Sequence, residues 1–303
     1  MSGLRVLKPG PQSLLQDAGR RGWQHLGVSP AGPLDWHGAA WANHLLNNPW
    51  GTPLLEIALG GVELQAEVDT WVAVCGAQVP LSLDDQPQPL WTRLPLRKGQ
   101  LLRLGFARSG QRAYLAVAGG FIAAPVLGSV SVQLREGLGQ AVQVGDLLAC
   151  WPAHFTRAAS VPWPYLPDYR CKPLLRVITG GDAASFEEDQ LQGFFAQTWQ
   201  LSPHSDRMGA RLLGEAVQPP VRSGHWGLAG ARFRCRRMVS RSSCRPTTRA
   251  WADTRCSVGC TRSIRAAWRN ARRTIHCASP RSALATRRQS CASSTDFFVV
   301  KAF

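Results

Sequence analysis

Along the first 150 residues the apolar positions fall in short runs that end at Gly, Pro and Asp. "LRVLKPG", "GVELQAEV", "TWVAVCGA", "VPLSLDD", "QLLRLGFA" and "RAYLAVAGG" are alternating or continuously apolar. Such closely punctuated runs predict β-strands in a barrel or sandwich, not βαβ units. One stretch breaks the rhythm. In "PLDWHGAAWANHLLNN", Leu34, Ala39, Trp41, Ala42, Leu45 and Leu46 recur at helical spacing behind the turn-like "SPAGP". That spacing predicts a helix.

The pattern then changes. Residues 151–173, "WPAHFTRAASVPWPYLPDYRCKP", contain five prolines and read as a linker. A second unit opens with "LLRVITGGDAASFEEDQLQGFFAQTW", which predicts a strand, a Gly turn and a helix. Leu4-Arg5-Val6 followed by Gly10 is echoed by Leu175-Arg176-Val177 followed by Gly181. The echo hints that the two units begin alike.

Charge changes this picture only at the C-terminal end. The net charge of +16 over 303 residues resembles that of a nucleic-acid binder. Residues 231–303, however, hold 17 of the 35 basic residues against two acids, Asp253 and Asp296. They also hold six of the nine cysteines. Residues 1–230 are therefore nearly neutral, with three scattered cysteines, as suits a reducing compartment. The N-terminal "MSGLRVLKPG" has no apolar signal core, and no run approaches a membrane span. A cytoplasmic protein with no membrane partner is expected.

No P-loop, dinucleotide fingerprint, G-x-S-x-G or H-E-x-x-H occurs. The histidines before residue 231 show no metal-ligand spacing, so no metal site is expected. Three polar stretches are the candidates for chemistry. In "QDAGRRGWQHLGVSPAGPLD", Asp17 and Arg20 either pair to close a loop, or Arg20 or Arg21 receives a carboxylate or phosphate bidentately. Gly19, Gly22, Gly27 and Gly32 suit either reading. In "SPHSDRMGARLLG", Asp206 is a candidate acid or base and Arg207 an anion clamp. The alternative there is a turn capped by Ser205-Asp206 with solvated arginines. "GQRAYLAVAGGF" reads most simply as a buried strand ending in a Gly turn.

Together these stretches carry a family resemblance. "VLKPGPQSLLQDAGRRGWQHLGVSPAGPLD", "ANHLLNN", "PLLEIALGG", "GAQVPLSLDD", "GQRAYLAVAGG" and "SDRMGARL", in this order and spacing, resemble the family of the 5-oxoprolinase C subunit. That family is also described as biotin-dependent carboxyltransferase-like, allophanate hydrolase subunit 2-like or KipA-like. The resemblance spans about residues 3–230. It implies a mainly β chain with two cyclophilin-like β-barrel domains, over 1–150 and from 174, the second incomplete after 230. It implies two partners, a KipI-like B subunit and a LamB/YcsF-like A subunit. The assembled hydrolase would open 5-oxoproline to glutamate using ATP. The resemblance implies no nucleic-acid partner. Asp17, Arg20, Asp206 and Arg207 lie in the family's motifs and are the expected catalytic residues. Two other roles stay open: a KipA-like regulator that binds a KipI-type kinase inhibitor, and a component of an allophanate hydrolase or carboxyltransferase. The chain has no biotin-carrier Met-Lys motif and no amidase Gly/Ser-rich signature.

The family's closing pattern, G-Q-P-I-V-L and then G-G-Y-P, is missing after the "SDRMG" motif. With allowed synonymous codon choices it returns when each codon is started one nucleotide earlier, as though the written tail had been read one nucleotide late. Met238 followed by Val239 then yields a glycine codon, and so does Trp251 followed by Ala252, at the spacing of the two family glycines. The same shift converts Pro, Ala, Ser and Thr codons of a GC-rich gene into Arg, and Leu and Val codons into Cys or Trp. Residues 231–303 are therefore expected to be an out-of-frame, largely disordered tail, with the slip between about Arg222 and Ala231 and an inactive product. A nucleic-acid tail is the rival reading, but few aromatics interleave its arginines. A zinc site is weaker, since Cys256 and Cys260 are spaced C-x3-C while Cys235 and Cys244 lack a close partner.

Overall fold

In a computed structural model of the chain, the short apolar runs become antiparallel strands. The structure describes residues 2–170 apart from 156, residues 174–176, residues 186–217 apart from 204, 206 and 208, and the backbone of three later strands. The chain divides into two compact units, 1–170 and 171–303.

The first unit contains eleven described strands and one α-helix. They are β1 (Gly3–Pro9), β2 (Gln12–Gln16), α1 (Trp36–Leu45), β3 (Leu54–Ala58), β4 (Val62–Ala66) and β5 (Thr70–Gln78). There follow β6 (Leu81–Leu83), β7 (Gln86–Pro87), β8 (Arg93–Leu96), β9 (Leu101–Leu104), β10 (Ser109–Val117) and β11 (Leu147–Ala149). One sheet runs β11-β1-β4-β9-β6-β7 and the other β2-β3-β10-β5-β8.

Strand periodicity divides the second sheet between two cores. Leu55, Ile57, Val72, Val74, Leu115 and Val117 face the first sheet and meet Leu4, Val6, Leu64, Leu102 and Leu104. Their alternate neighbours Leu54, Ala73, Cys75, Tyr114 and Ala116 face α1 and meet Ala39, Ala42, Leu45 and Leu46. β5 and β10 are thus covered on both sides, which is why they read as continuous apolar runs. Helix–sheet contact is close because small residues oppose each other. A Cβ on Gly38 of α1 would lie 3.1 Å from the Tyr114 ring and 3.2 Å from the Gly76 Cα.

Residues 151–170, expected as a linker, carry ordered contacts to the first unit. The amide of Ala153 donates to the Asp69 carbonyl, the Arg93 amide to the Ala159 carbonyl, and the Val161 amide to the Trp91 carbonyl. Val161 and Tyr169 are buried in the core under α1. Prolines here suit a strap that follows a surface, since a proline has no N–H that needs an acceptor.

The second unit contains β12 (Leu174–Arg176), α2 (Glu188–Ala196), β13 (Thr198–Leu201), β14 (Gly209–Leu213), β15 (Arg232–Arg236), β16 (Arg249–Asp253) and β17 (Thr274–Ala278). Their sheet runs β12-β17-β13-β14-β16-β15, antiparallel except between β12 and β17. Trp199 is buried against Phe194, and its indole N–H donates to the Phe194 carbonyl at 3.0 Å. The mainly β expectation holds for the described chain. The expectation for residues 231–303 falls mostly outside the described residues, which include there the three backbone strands just named.

The two-faced packing makes a directional prediction. Ala73→Leu adds volume on the α1 side of β5 and is expected to destabilise the protein by about 1–3 kcal/mol. Val74→Ala, on the opposite side, opens a cavity and is expected to cost about 1–3 kcal/mol through lost burial. Urea denaturation of the two variants against the parent protein checks both.

Candidate functional site

The Asp17–Arg20 loop is built at the end of β2. Gln16 is fully buried, and its amide donates to the Val132 carbonyl at 3.0 Å. The chain then turns through Gly19, whose φ of +88° favours glycine. A Cβ there would lie 2.7 Å from the Pro30 carbonyl oxygen, so the loop closes on itself at this point.

Asp17 and Arg20 come close in the fold, but among the described residues they form no ion pair with each other. Both bind the segment that follows β10. The Asp17 carboxylate accepts from the Ser129 hydroxyl at 2.6 Å, the Ser131 hydroxyl at 2.6 Å, the Val130 amide at 2.8 Å and the Gly19 amide at 2.8 Å. Burial pushes its pKa up. The hydrogen bonds from Ser129 and Ser131, and from the Gly19 and Val130 amides, outweigh burial and hold it below the usual carboxyl value. A carboxylate so fully occupied is a weak base and a strong structural acceptor.

Arg20 is 1% exposed. Its Nε donates to the Val126 carbonyl at 2.9 Å, and its Nη2 to the Ser131 and Ser129 carbonyls at 3.0 and 3.3 Å. Its Nη1 is buried with no hydrogen-bond partner among the described residues. A buried guanidinium is costly unless its donors are met, and here three carbonyls of one loop meet most of them. A second tie lies nearby. The Glu136 carboxylate accepts from the Ser29 amide at 2.9 Å and from the Ser29 hydroxyl. The 17–32 loop and the 126–136 segment are therefore held side by side at both ends.

A second polar cluster lies under α1. Asp35 caps the helix by accepting from the Gly38 amide at 3.0 Å, and it accepts from the Tyr169 hydroxyl at 2.7 Å. Its own amide donates to the Tyr114 hydroxyl at 2.7 Å, which donates in turn to Glu56 at 2.9 Å. Glu56 also accepts from the Leu34 amide at 2.9 Å and the Arg112 Nε at 3.3 Å. Burial, then the Glu56 and Asp35 charges, push the Tyr114 pKa well above normal, so it stays a hydroxyl. Because Asp35 occupies the N-terminus of α1, that helix end already holds an anion and offers no seat for the phosphates of ATP. Burial likewise pushes the Cys75 thiol well up, and the Cys150 thiol to about 11, so neither is a nucleophile.

The other two candidates belong to the second unit. Asp206 lies outside the described residues. Arg207 is half-buried next to a turn that Ser205 closes, its hydroxyl accepting from the Arg211 amide at 2.9 Å. Sequence reasoning missed Ser129, Ser131 and Glu136, which have no local signal because their partners lie more than 100 residues away. Glu56 did carry a signal: a lone acid inside the apolar run "LLEIA" must find partners. Among the described residues no cluster of three His, Cys, Asp or Glu could hold a metal ion. No described helix is long and apolar enough to cross a membrane.

The family described as Carboxyltransferase domain, subdomain A and B, matches residues 26–231. The chain is 35% identical over 221 residues to the C subunit of Escherichia coli 5-oxoprolinase, covering 71% of this chain and 70% of that one. It is 28% identical to urea amidolyase of Saccharomyces cerevisiae over 70% of this chain but 12% of that one. Among solved structures, TTHA0988 superposes with a TM-score of 0.71 at 27% identity, over 92% of this chain and 56% of its own. Kluyveromyces lactis urea amidolyase superposes with a TM-score of 0.62 at 29% identity, over 71% of this chain and 14% of its own.

The Asp17 contacts predict acid sensitivity of known sign. Their stabilisation is present above pH 3.8, the ordinary value. It is lost as pH falls through the lower folded-state pKa. Asp17→Asn is expected to cost about 1–3 kcal/mol at pH 7 and to flatten the acid limb of the stability profile. Arg20→Lys, which keeps charge without the fork, is expected to speed hydrogen exchange at Val130 and Val132. Denaturation between pH 7 and pH 2 checks the first, and exchange mass spectrometry the second.

Proposed function

The chain belongs to the carboxyltransferase-domain family that includes the 5-oxoprolinase C subunit, and on that premise we propose that it serves as the C subunit of an ATP-dependent 5-oxoprolinase. The observation that carries this reading is the extent of the match. The chain covers 70% of the Escherichia coli oxoprolinase protein, which is itself one piece of a larger enzyme, against 12% of the urea amidolyase chain. Urea and allophanate chemistry is the second reading, favoured by the amidolyase likeness alone.

The chemistry asks for more than this chain. A lactam is a resonance-stabilised amide and a poor target for water. Phosphorylating its oxygen with ATP makes the carbon electrophilic, and attack by water then releases glutamate and phosphate. Groups that stabilise the developing negative charge lower that barrier. In this reading ATP is a co-substrate of the assembly with the KipI-like B subunit, which joins the LamB/YcsF-like A subunit. Asp17 and Arg20 are positioning residues that hold the 126–136 segment in shape. Arg207 is the candidate anion clamp of the second unit, and Asp206 its candidate acid or base.

The reading extends to the tail. The family match stops at residue 231, at the end of the window in which the reading-frame slip is expected. Loss of the family's closing segment makes the chain as written inactive in the assembly. The test combines this chain with the A and B subunits, 5-oxoproline and ATP, and measures glutamate. The chain as written is expected to support none. A gene corrected by one nucleotide between codons 222 and 231 is expected to give ATP-dependent release. An active written chain overturns the frame slip. A corrected chain without activity overturns the oxoprolinase role.

A further inference from the structure

We propose that the two loops joined by Arg20 form a docking face for an apolar, carboxylate-fringed surface of a neighbouring protein subunit. The inference rests on the reading of the chain as one member of an assembly and adds where the contact is made.

The first observation is a run of exposed apolar chain. Ile122 to Gly128, "IAAPVLG", has no polar side chain, and all of it is exposed except half-buried Ala123. On the loop that Arg20 and Ser29 tie to this segment, Trp23 and Leu26 are exposed, Leu26 by 65%, and Leu134 is exposed further along the segment itself. Single exposed apolar residues are ordinary, but contiguous ones on two adjoining loops mark an interaction surface.

The second observation is the turn at the tip. The Val126 and Ser129 backbones exchange hydrogen bonds at 2.9 and 3.2 Å around Leu127 and Gly128. Both central residues have positive φ, +52° for Leu127 and +77° for Gly128. Asn or Gly suits the first of these positions best. A leucine there keeps an apolar side chain at the tip against its backbone preference.

The third observation is rigidity. Arg20 holds the carbonyls of Val126, Ser129 and Ser131, while Asp17 holds Ser129, Val130 and Ser131. A loop already ordered loses little entropy when a partner binds.

Charge selects the partner. Asp17 and Glu136 are the sole acids within 16–30 and 122–140. Both are occupied by hydrogen bonds inside the two loops. Arg21 and Arg135 are exposed beside them. The face therefore presents apolar contact with a cationic rim, and a carboxylate-fringed apolar surface complements it. A protein partner fits because relatives hold this region within longer chains.

The test measures binding of the full chain to the purified KipI-like protein by calorimetry at low and physiological salt. Leu26→Asp and Arg135→Glu are each expected to weaken binding at least tenfold, with unchanged thermal midpoints, because both side chains are exposed. Phe106→Asp, at a residue 68% exposed elsewhere on the unit, is expected to bind like the parent. Binding unaffected by Leu26→Asp and Arg135→Glu overturns the docking face and leaves the oxoprolinase reading standing. No binding by the parent chain overturns the docking face, and the oxoprolinase reading falls with it only if the chain from the frame-corrected gene also fails to bind. Binding to phosphatidylserine vesicles in place of the KipI-like protein overturns the protein partner.

Discussion

The two central strands of the second sheet in the first unit, β5 and β10, are buried on both faces, and most of the architecture follows from that constraint. β5 and β10 send alternate side chains into two separate cores. Each face needs its own cover. The first sheet covers one side, and α1 with the strap of residues 151–170 covers the other. The helix side admits a close approach because the sheet offers Ala73, Cys75, Gly76 and Ala116 there, and the helix offers Gly38, Ala39 and Ala42. Dispersion and burial reward such contact only if volumes match on both sides.

Double burial leaves polar groups with few options. Glu56 sits in a strand whose neighbours are apolar, so it must be satisfied from inside. Leu34, Arg112 and the Tyr114 hydroxyl do so. The hydroxyl relays the network to the Asp35 amide, and Asp35 joins the helix start to Tyr169 on the strap. One chain of hydrogen bonds thus fixes β3, β10, α1 and the strap together. Removing a single member would strand the others in a medium of low dielectric.

The same logic organises the candidate site. Asp17 and Arg20 lie three residues apart, but their partners come from a segment more than 100 residues away. Their charges do not neutralise each other through direct contact. Asp17 takes hydroxyl and amide donors while Arg20 takes carbonyls, so each meets the half of the backbone that suits it. The segment this orders carries the exposed apolar tip, whose side chains supply none of the hydrogen bonds that hold it; backbone carbonyls and the two serines do. Order at the base and contact at the tip are therefore separable properties of one loop.

Much of this was legible in the chain. The apolar runs located β1, β4, β5, β6, β9 and β10, and helical spacing located α1 within a few residues of its ends. Local pattern suffices there because each element buries a face of its own period. β2, β3, β7, β8 and β11 were not located; β7 and β11 have two and three residues, and the equally short β6 showed only because the longer run "VPLSLDD" surrounds it. The prolines of 151–173 read as a linker, but proline content says nothing about whether a segment packs, and residues 151–170 pack on the first unit and include a short 3-10 turn at Trp163–Tyr165. Period, composition and order along the chain were thus enough for the strand-rich class of the first unit, the place of its helix, the family motifs and the abrupt change in character near residue 231. What Asp17 and Arg20 touch, which acids are already occupied and which apolar residues remain uncovered emerged only on folding. Those outcomes depend on contacts between distant segments, and no local pattern encodes which of two possible partners a buried charge will meet.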